Sequence, residues 1–342
     1  MKRPMTRKSS ILLLSALCAG LAGPSHAATG DKRIAFSNNY AGNSWRQAML
    51  KSFDAVAKKA VANKTVAAAD TFTTPDTGVP TQAAQIQNLI LQGYNAIVIN
   101  AASPTALNGA VQQACSAGIV VVSFDGVVTA PCAYRVVVDY QALGRQQVEQ
   151  LARLLPKGGN LLEIRGVAGT SIDATLHAGI AAGVKAHPNF KIVGSVTGNW
   201  DQTTAQKAVT SILPSLPPVA GVVDQGGDGY GAAQAFAAAG KPTPVIVMGN
   251  RQDELAWWQQ QKAKNGYETW SGSIAPGIST LAFWVAQQVL DGKKVPHDLI
   301  VPYLSFTQSN FEAALRTIPK GGVASTEYTQ ADAIAAIKAN TH

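Results

Sequence analysis

From residue 33 onward, short continuous apolar runs alternate with longer stretches whose apolar residues recur every three or four positions. The run "RIAFSN" precedes a segment in which Met49, Phe53, Val56 and Ala60 fall on one helical face. "NAIVIN" and "IVVVSFD" are apolar until they end on polar residues, with the helical "PTALNGAVQQACSAG" between them. That is the pattern of strands covered on both faces of a parallel sheet. After residue 140 the theme restarts through "GRQQVEQLARLL", "NLLEIRG", "DATLHAGIAAGVKAH", "KIVGSV", "TTAQKAVTSILPSL", "AGVVDQ", "GAAQAFAAAG" and "PVIVMGN". The alternation predicts an α/β fold of two doubly wound, Rossmann-like lobes. An internal echo agrees: aligning "NAIVIN…AGIVVVSFD" with "AGVVDQ…TPVIVMGN" sets Asn100-Ala-Ala-Ser against Gln225-Gly-Gly-Asp, and Asp125 against Asn250.

In open α/β sheets the ligand lies beyond the carboxyl ends of the strands, so two facing lobes enclose a cleft. The strand-end residues here are Asn38, Asn39, Asn100, Ser103, Asp125, Arg165, Trp200, Gln225, Asp228, Asn250 and Arg251. Most of them are neutral groups that donate and accept hydrogen bonds, which suits a small polyhydroxylated molecule better than a phosphate or a metal ion. The first strand-to-helix turn, "SNNYAGNSW" (37–45), carries no charge and lacks the glycine spacing of a phosphate loop. Trp45 and Trp200 are candidate faces for the C–H side of a sugar ring, with ordinary core packing as the alternative for each. Asp228 is expected either to cap the helix that follows it or to accept ligand hydroxyls.

Composition adds size and compartment. With 342 residues, 46% hydrophobic and 14% charged, the chain has room for two domains and a large core. Residues 1–27 differ from the rest: Lys2, Arg3, Arg7 and Lys8, then "ILLLSALCAGLAG", then "SHA" form the charged, apolar and small-residue order of a secretory signal peptide cleaved near Ala27. Leu17 stands before Cys18 where a lipobox wants Gly or Ala, so a soluble periplasmic product is expected. Half of the formal +8 charge belongs to this segment, and no Lys/Arg block argues for nucleic acid. Cys115 and Cys132 remain in an exported chain and are expected to pair, the alternative being a buried Cys115 and a free Cys132.

Motifs for chemistry are sparse. His177, His187, His297 and His342 form no HxxxH, which leaves no dedicated metal site and no cofactor. "GGDGYG" fits neither GxGxxG nor a P-loop, and "GVAGTSID" is not GxSxG. Paired carboxylates, Asp125 and Asp228, leave a secreted glycosidase-like hydrolase as an alternative.

The segments "SNNYAGNSW", "SPTAL", "AGIVVVSFD", "GVAGTS", "NWDQTTAQKAV", "DQGGDGYGAAQAF" and "VIVMGN" occur in an order and spacing that resemble the periplasmic sugar-binding proteins of ABC importers, the ribose, galactose and xylose class, from Lys32 to about Thr307. The resemblance implies a type I periplasmic binding fold with a three-crossover hinge, near Val138–Tyr140, Ser273–Pro276 and Pro302–Ser305. It implies an N-terminal lobe of 28–138 plus 275–302, a C-terminal lobe of 139–274 plus 303–309, and a C-terminal extension of 310–342. The implied ligand contacts are Asn38, Asn39, Asn43, Trp45, Asp125, Trp200, Asp228 and Asn250; strand-end position adds Asn100 and Arg165, and the turn after "GTS" adds Asp173. The implied function is non-enzymatic: a monomer captures a small sugar or polyol and delivers it to a permease in the inner membrane, with a chemoreceptor-coupled sensor as an alternative. The same fold serves LacI-type repressors, but no helix-turn-helix headpiece precedes it here. Two departures point away from ribose: Asp173 and His177 follow the "GTS" turn where ribose-type members carry an arginine, and Pro276 replaces a glutamine.

Overall fold

The computed structural model describes Met1, residues 29–75 and residues 78–341; the signal-peptide reading therefore lies outside the described residues. The strands are β1 (Arg33–Asn38), β2 (Ala68–Thr73), β3 (Ala96–Asn100), β4 (Val120–Phe124), β5 (Tyr134–Val137), β6 (Gly159–Arg165), β7 (Phe190–Thr197), β8 (Gly221–Asp224), β9 (Val245–Ile246), β10 (Ser271–Ser273), β11 (Asp298–Ile300) and β12 (Leu304–Phe306). The α-helices are α1 (Ser44–Ala62), α2 (Val79–Leu91), α3 (Asn108–Ser116), α4 (Tyr140–Leu154), α5 (Ser171–Ala186), α6 (Gln202–Ile212), α7 (Gly229–Ala238), α8 (Gln252–Asn265), α9 (Ile278–Leu290), α10 (Phe311–Leu315) and α11 (Gln330–Ala339).

Two parallel sheets carry the fold. One runs β2-β1-β3-β4-β5-β11, the other β7-β6-β8-β9, and an antiparallel pair, β10 with β12, lies between the chain's later passages. The apolar runs sit where two-sided burial requires: Ile34, Ala35 and Phe36 of β1 and Ala96 to Ile99 of β3 are fully buried. Register brings the strand ends level, with Asn38 opposite both Asn100 and Thr73. β2 and β5 carry no strong apolar signal in the sequence, since every residue of "AADTFT" is at least partly exposed and "YRVV" is short. "PVIVMGN" forms only a two-residue strand on the smaller sheet, because Met248 leaves it to bond across to Trp270 and Ser271.

The chain passes between the two sheets after β5, after β10 and after β11. Residues 310–341 then follow a course of their own. α10 packs on α8, with Phe311 stacked on Trp258 at 4.0 Å between ring centroids and Lys262 paired with Glu312 at 2.8 Å. Ala324 exchanges hydrogen bonds with Asn250, and Val323 bridges Arg251. Beyond that the tail lies on the first lobe: Ser325 accepts from the Gly277 amide, Tyr328 donates its amide to Thr280, α11 packs on α9, and Asn340 bonds both backbone groups of Ile300.

Cys115 and Cys132 form a disulfide, closing the loop from α3 past β4. For a loop of this length the chain-entropy gain is about 3 kcal/mol.

Phe311 is fully buried between α10 and α8, so Phe311→Ala should cost about 3–5 kcal/mol. Urea unfolding measures this; a loss below 1 kcal/mol would mean that the tail is not part of the cooperative unit.

Candidate functional site

The polar strand ends of the two sheets meet around a cleft of about 600 Å³, counting its open mouth. From the first lobe it is lined by Asn43, Trp45, Arg46 and Asp125. Leu143, Gln147, Ile172, Leu176, Trp200, Gln225, Asn250 and Arg251 come from the second, and Tyr140, Ser273 and Ile274 from passages between them. Seven of the residues singled out in the sequence are therefore brought together: Asn43, Trp45, Asp125, Trp200, Gln225, Asn250 and Arg251.

The floor of the first lobe is a buried charged cluster. Asp125 ends β4 in the left-handed backbone region (φ 56°), which aims its carboxylate across the sheet end. Tyr140 donates to its Oδ1 at 2.6 Å, Asn100 donates to its Oδ2 at 3.1 Å, and Arg46 Nη2 lies 3.4 Å from Oδ2. Burial lowers the pKa of Arg46, opposed by the Asp125 charge, and burial followed by Asp125 raises that of the Tyr140 hydroxyl well above its ordinary value. Arg46 comes from the first turn of α1, whose N-terminus is capped by Asn43 Oδ1 accepting from the Arg46 amide at 2.8 Å. Arg46 Nη1 has no hydrogen-bond partner.

The opposite wall rests on Trp200. Asn199 and Trp200 both adopt left-handed backbone (φ 57° and 55°), an uncommon conformation for a bulky side chain that costs about 1–3 kcal/mol. The strain is held by Arg251, which donates through Nη2 to the Trp200 carbonyl and through Nη1 to Gly227, each at 2.7 Å. Gly166 must lack a side chain, since a Cβ there would stand 2.3 Å from Trp200 Nε1. Asn43 Nδ2 reaches across to the Trp200 carbonyl of the second lobe at 3.5 Å, and Trp45 Nε1 donates to the Ile274 carbonyl of the passage between the lobes at 2.8 Å.

The other sequence candidates are elsewhere. Asn38 is buried at the end of β1, with its amide on Tyr40 and Thr73. Asn39 lines a second hollow at the cleft's edge with Tyr40, Arg46, Val167, Thr170, Asn199 and Trp200. Asn100 lies beneath Asp125, which it orients. Arg165 and Asp173 form a bidentate pair at 2.9 and 2.6 Å beside the cleft. Asp228 is fully buried, lines neither hollow and makes no side-chain cap bond; both its oxygens lack partners. The expectation that it caps α7 is thus corrected, since its side chain makes no cap bond and its carboxylate lies near Gly198 and Asp224 rather than on the lining of the cleft. The Asp125–Asp228 pair that hydrolysis requires is consequently not assembled at the cleft.

Arg46, Tyr140 and Gln147 were missed by strand-end reasoning because they project from helices. Gln147 uses both ends of its amide on Asp224, donating to its carbonyl at 2.6 Å and accepting from its amide at 3.2 Å. Gln225 donates to Asp173 Oδ1 at 2.9 Å and to the Asp173 carbonyl at 3.1 Å, which fixes the amide's orientation and leaves Oε1 buried without a partner. Among the described residues no group of His, Cys, Asp and Glu is arranged to hold a metal ion, and no helix is long and apolar enough to cross a membrane.

Two Rossmann-like lobes joined by repeated passages and facing each other across a polar and aromatic cleft define a periplasmic binding protein of type I. The chain belongs to the family described as periplasmic binding protein domain, whose model matches residues 34–294. It is 28% identical over 246 residues to the xylitol-binding protein of Mycolicibacterium smegmatis, covering 70% of this chain and 69% of that one. It is 27% identical over 232 residues to the ribose import binding protein of Bacillus subtilis, covering 66% and 73%. Among solved structures, an ABC transporter solute-binding protein from Thermobispora bispora superposes with a TM-score of 0.85 at 34% identity, covering 90% of this chain and 95% of that one.

Burial, and next the Asp224 charge, raise the Asp228 carboxyl well above its ordinary value of 3.8; Arg251 opposes this and Glu254 adds to it. The folded state thus keeps a proton that the unfolded chain releases, so this residue's contribution to stability declines as pH rises from about 4 through the folded pKa. Asp228→Asn should therefore raise the melting temperature at pH 8 more than at pH 5. Parallel pH profiles for the variant and the unaltered protein would overturn this account.

Proposed function

We propose that this protein is the periplasmic receptor of an ABC importer, capturing a small sugar or polyol between its lobes and presenting the closed form to an inner-membrane permease. In this reading it is exported through a cleaved signal peptide, acts as a monomer and performs no chemistry on its ligand. One observation carries the ligand class. Arg46 Nη1 from the first lobe and Gln225 Oε1 from the second are a buried donor and a buried acceptor, both unpartnered, on one cleft. A hydroxyl-rich ligand satisfies both at once, because each hydroxyl donates and accepts. The faces of Trp45 and Trp200 suit the C–H surfaces of the same molecule. The names of the relatives, a xylitol-binding protein and a ribose import binding protein, fall in that class.

Closure follows from the same geometry. A ligand shifts the open-to-closed balance only by contacts that both lobes make in the closed state, and Arg46 and Gln225 supply one from each side. In this reading the passages near Val138–Tyr140, Ser273–Pro276 and Pro302–Ser305 accommodate the rotation.

Saturation at a hundred times the dissociation constant should add about 2.7 kcal/mol of stability. Thermal shift and tryptophan fluorescence with pentoses, hexoses and polyols measure this, and no response from any of them would refute the sugar reading. Gln225→Leu should weaken binding by about ten- to a hundredfold, the cost of leaving a ligand hydroxyl unpaired. Unchanged affinity in a titration would remove Gln225 from the site.

A further inference from the structure

The cleft is lined by two chemically different sets of residues: Arg46, Asp125 and Tyr140 are polar, and Leu143, Ile172, Leu176 and Ile274 supply aliphatic surface. Ile172 and Leu176 stand one turn apart on α5, and Leu143 meets them from α4; all three belong to the main hydrophobic cluster, with Ile274 packed against it. Apart from Gln225 Oε1, the polar side chains that adjoin Ile172, Leu176 and Leu143 are already engaged. Asp173, next to Ile172, is held by Arg165 and Gln225. His177, next to Leu176, is turned to Glu163 at 2.7 Å. Gln147, one turn along α4 from Leu143, has both ends of its amide on the Asp224 backbone.

Resting on the sugar reading above, we infer that the aliphatic wall selects a ligand with one edge free of hydroxyls, a methyl or methylene group such as the C6 end of a deoxy sugar. A hydroxyl placed against Ile172 and Leu176 would lose its water without gaining a partner, while a methyl group there gains apolar contact. The departure from the ribose-type sequence after the "GTS" turn thereby acquires a physical meaning. The polar residues at 173 and 177 face away from the cleft, and the apolar ones at 172 and 176 face it.

Titration against sugar pairs that differ only at C6, D-fucose with D-galactose, D-quinovose with D-glucose and L-rhamnose with L-mannose, tests the inference beside pentoses and polyols. In a pair that binds, the deoxy member should be tighter by about ten- to two-hundredfold. Ile172→Thr and Leu176→Asn, which put a polar group on the wall, should each narrow that ratio toward one; the milder Ile172→Thr serves if Leu176→Asn does not fold. A parent sugar binding as tightly as its deoxy partner overturns the inference and leaves the sugar reading intact, as does binding confined to pentoses. Failure of every carbohydrate to bind removes both.

Discussion

The constraint on which the cleft depends is the need to keep Arg46 and Asp125 charged while both are almost fully buried. A carboxylate in this position is tolerable only if its lone pairs are met, and three groups from separate parts of the chain meet them. Asn100 comes from the end of β3, Arg46 from the start of α1 and Tyr140 from the first passage between the lobes. Satisfying one charge therefore fixes the relation of the first sheet, its first helix and the chain segment leading into the second lobe. The same demand leaves Arg46 Nη1 over, a buried donor without a partner on a residue that lines the cleft.

The second lobe handles its polar groups differently. There the acids Asp224, Asp228 and Glu254 are buried together, and burial raises the pKa of each before any neighbour is counted. Arg251 is the cation beside them, yet its guanidinium donates to the carbonyls of Trp200 and Gly227. It thus holds the strained Trp200 loop in place at the rim of the cleft, while its charge opposes the upward shift that burial imposes on each acid. Electrostatics here support the geometry of an aromatic residue rather than reaching the ligand directly.

Much of this was legible in the sequence, for reasons that can be named. Two-sided burial writes itself as unbroken apolar runs, so β1, β3, β4 and β8 could be read directly, and the echo between the halves has a structural counterpart. Gln82 bonds the Asn100 carbonyl and the Ala102 amide in one lobe as Gln147 bonds the Asp224 carbonyl and amide in the other. What could not be read was direction. A strand end shows that a polar residue lies near the cleft but not whether its side chain turns in or out, which is why Asp125 and Asn250 reach the cleft while Asp228 turns into the lobe and Asp173 toward Arg165. Helix-borne residues such as Arg46 and Tyr140 were invisible for a related reason, since their role arises from contacts between distant segments, and periodicity records only which face of a helix is buried.

The tail after β12 bears on closure. It joins both lobes: α10 is fixed to α8 through Phe311 and Glu312, and α11 to the first lobe through α9 and Ile300. Between these anchors Asn250 donates both to Ala324 of the tail and to Ile274 of the second passage. Ile274 in turn accepts from Trp45 of the first lobe. A rotation of the lobes must accordingly move Asn250, the tail and the second passage together, because one amide holds all three. The cleft side of that junction is formed by Ile274 and Asn250 themselves, so the amide that ties the tail to the second passage also lines the cleft, and a change in either would be felt at the cleft wall.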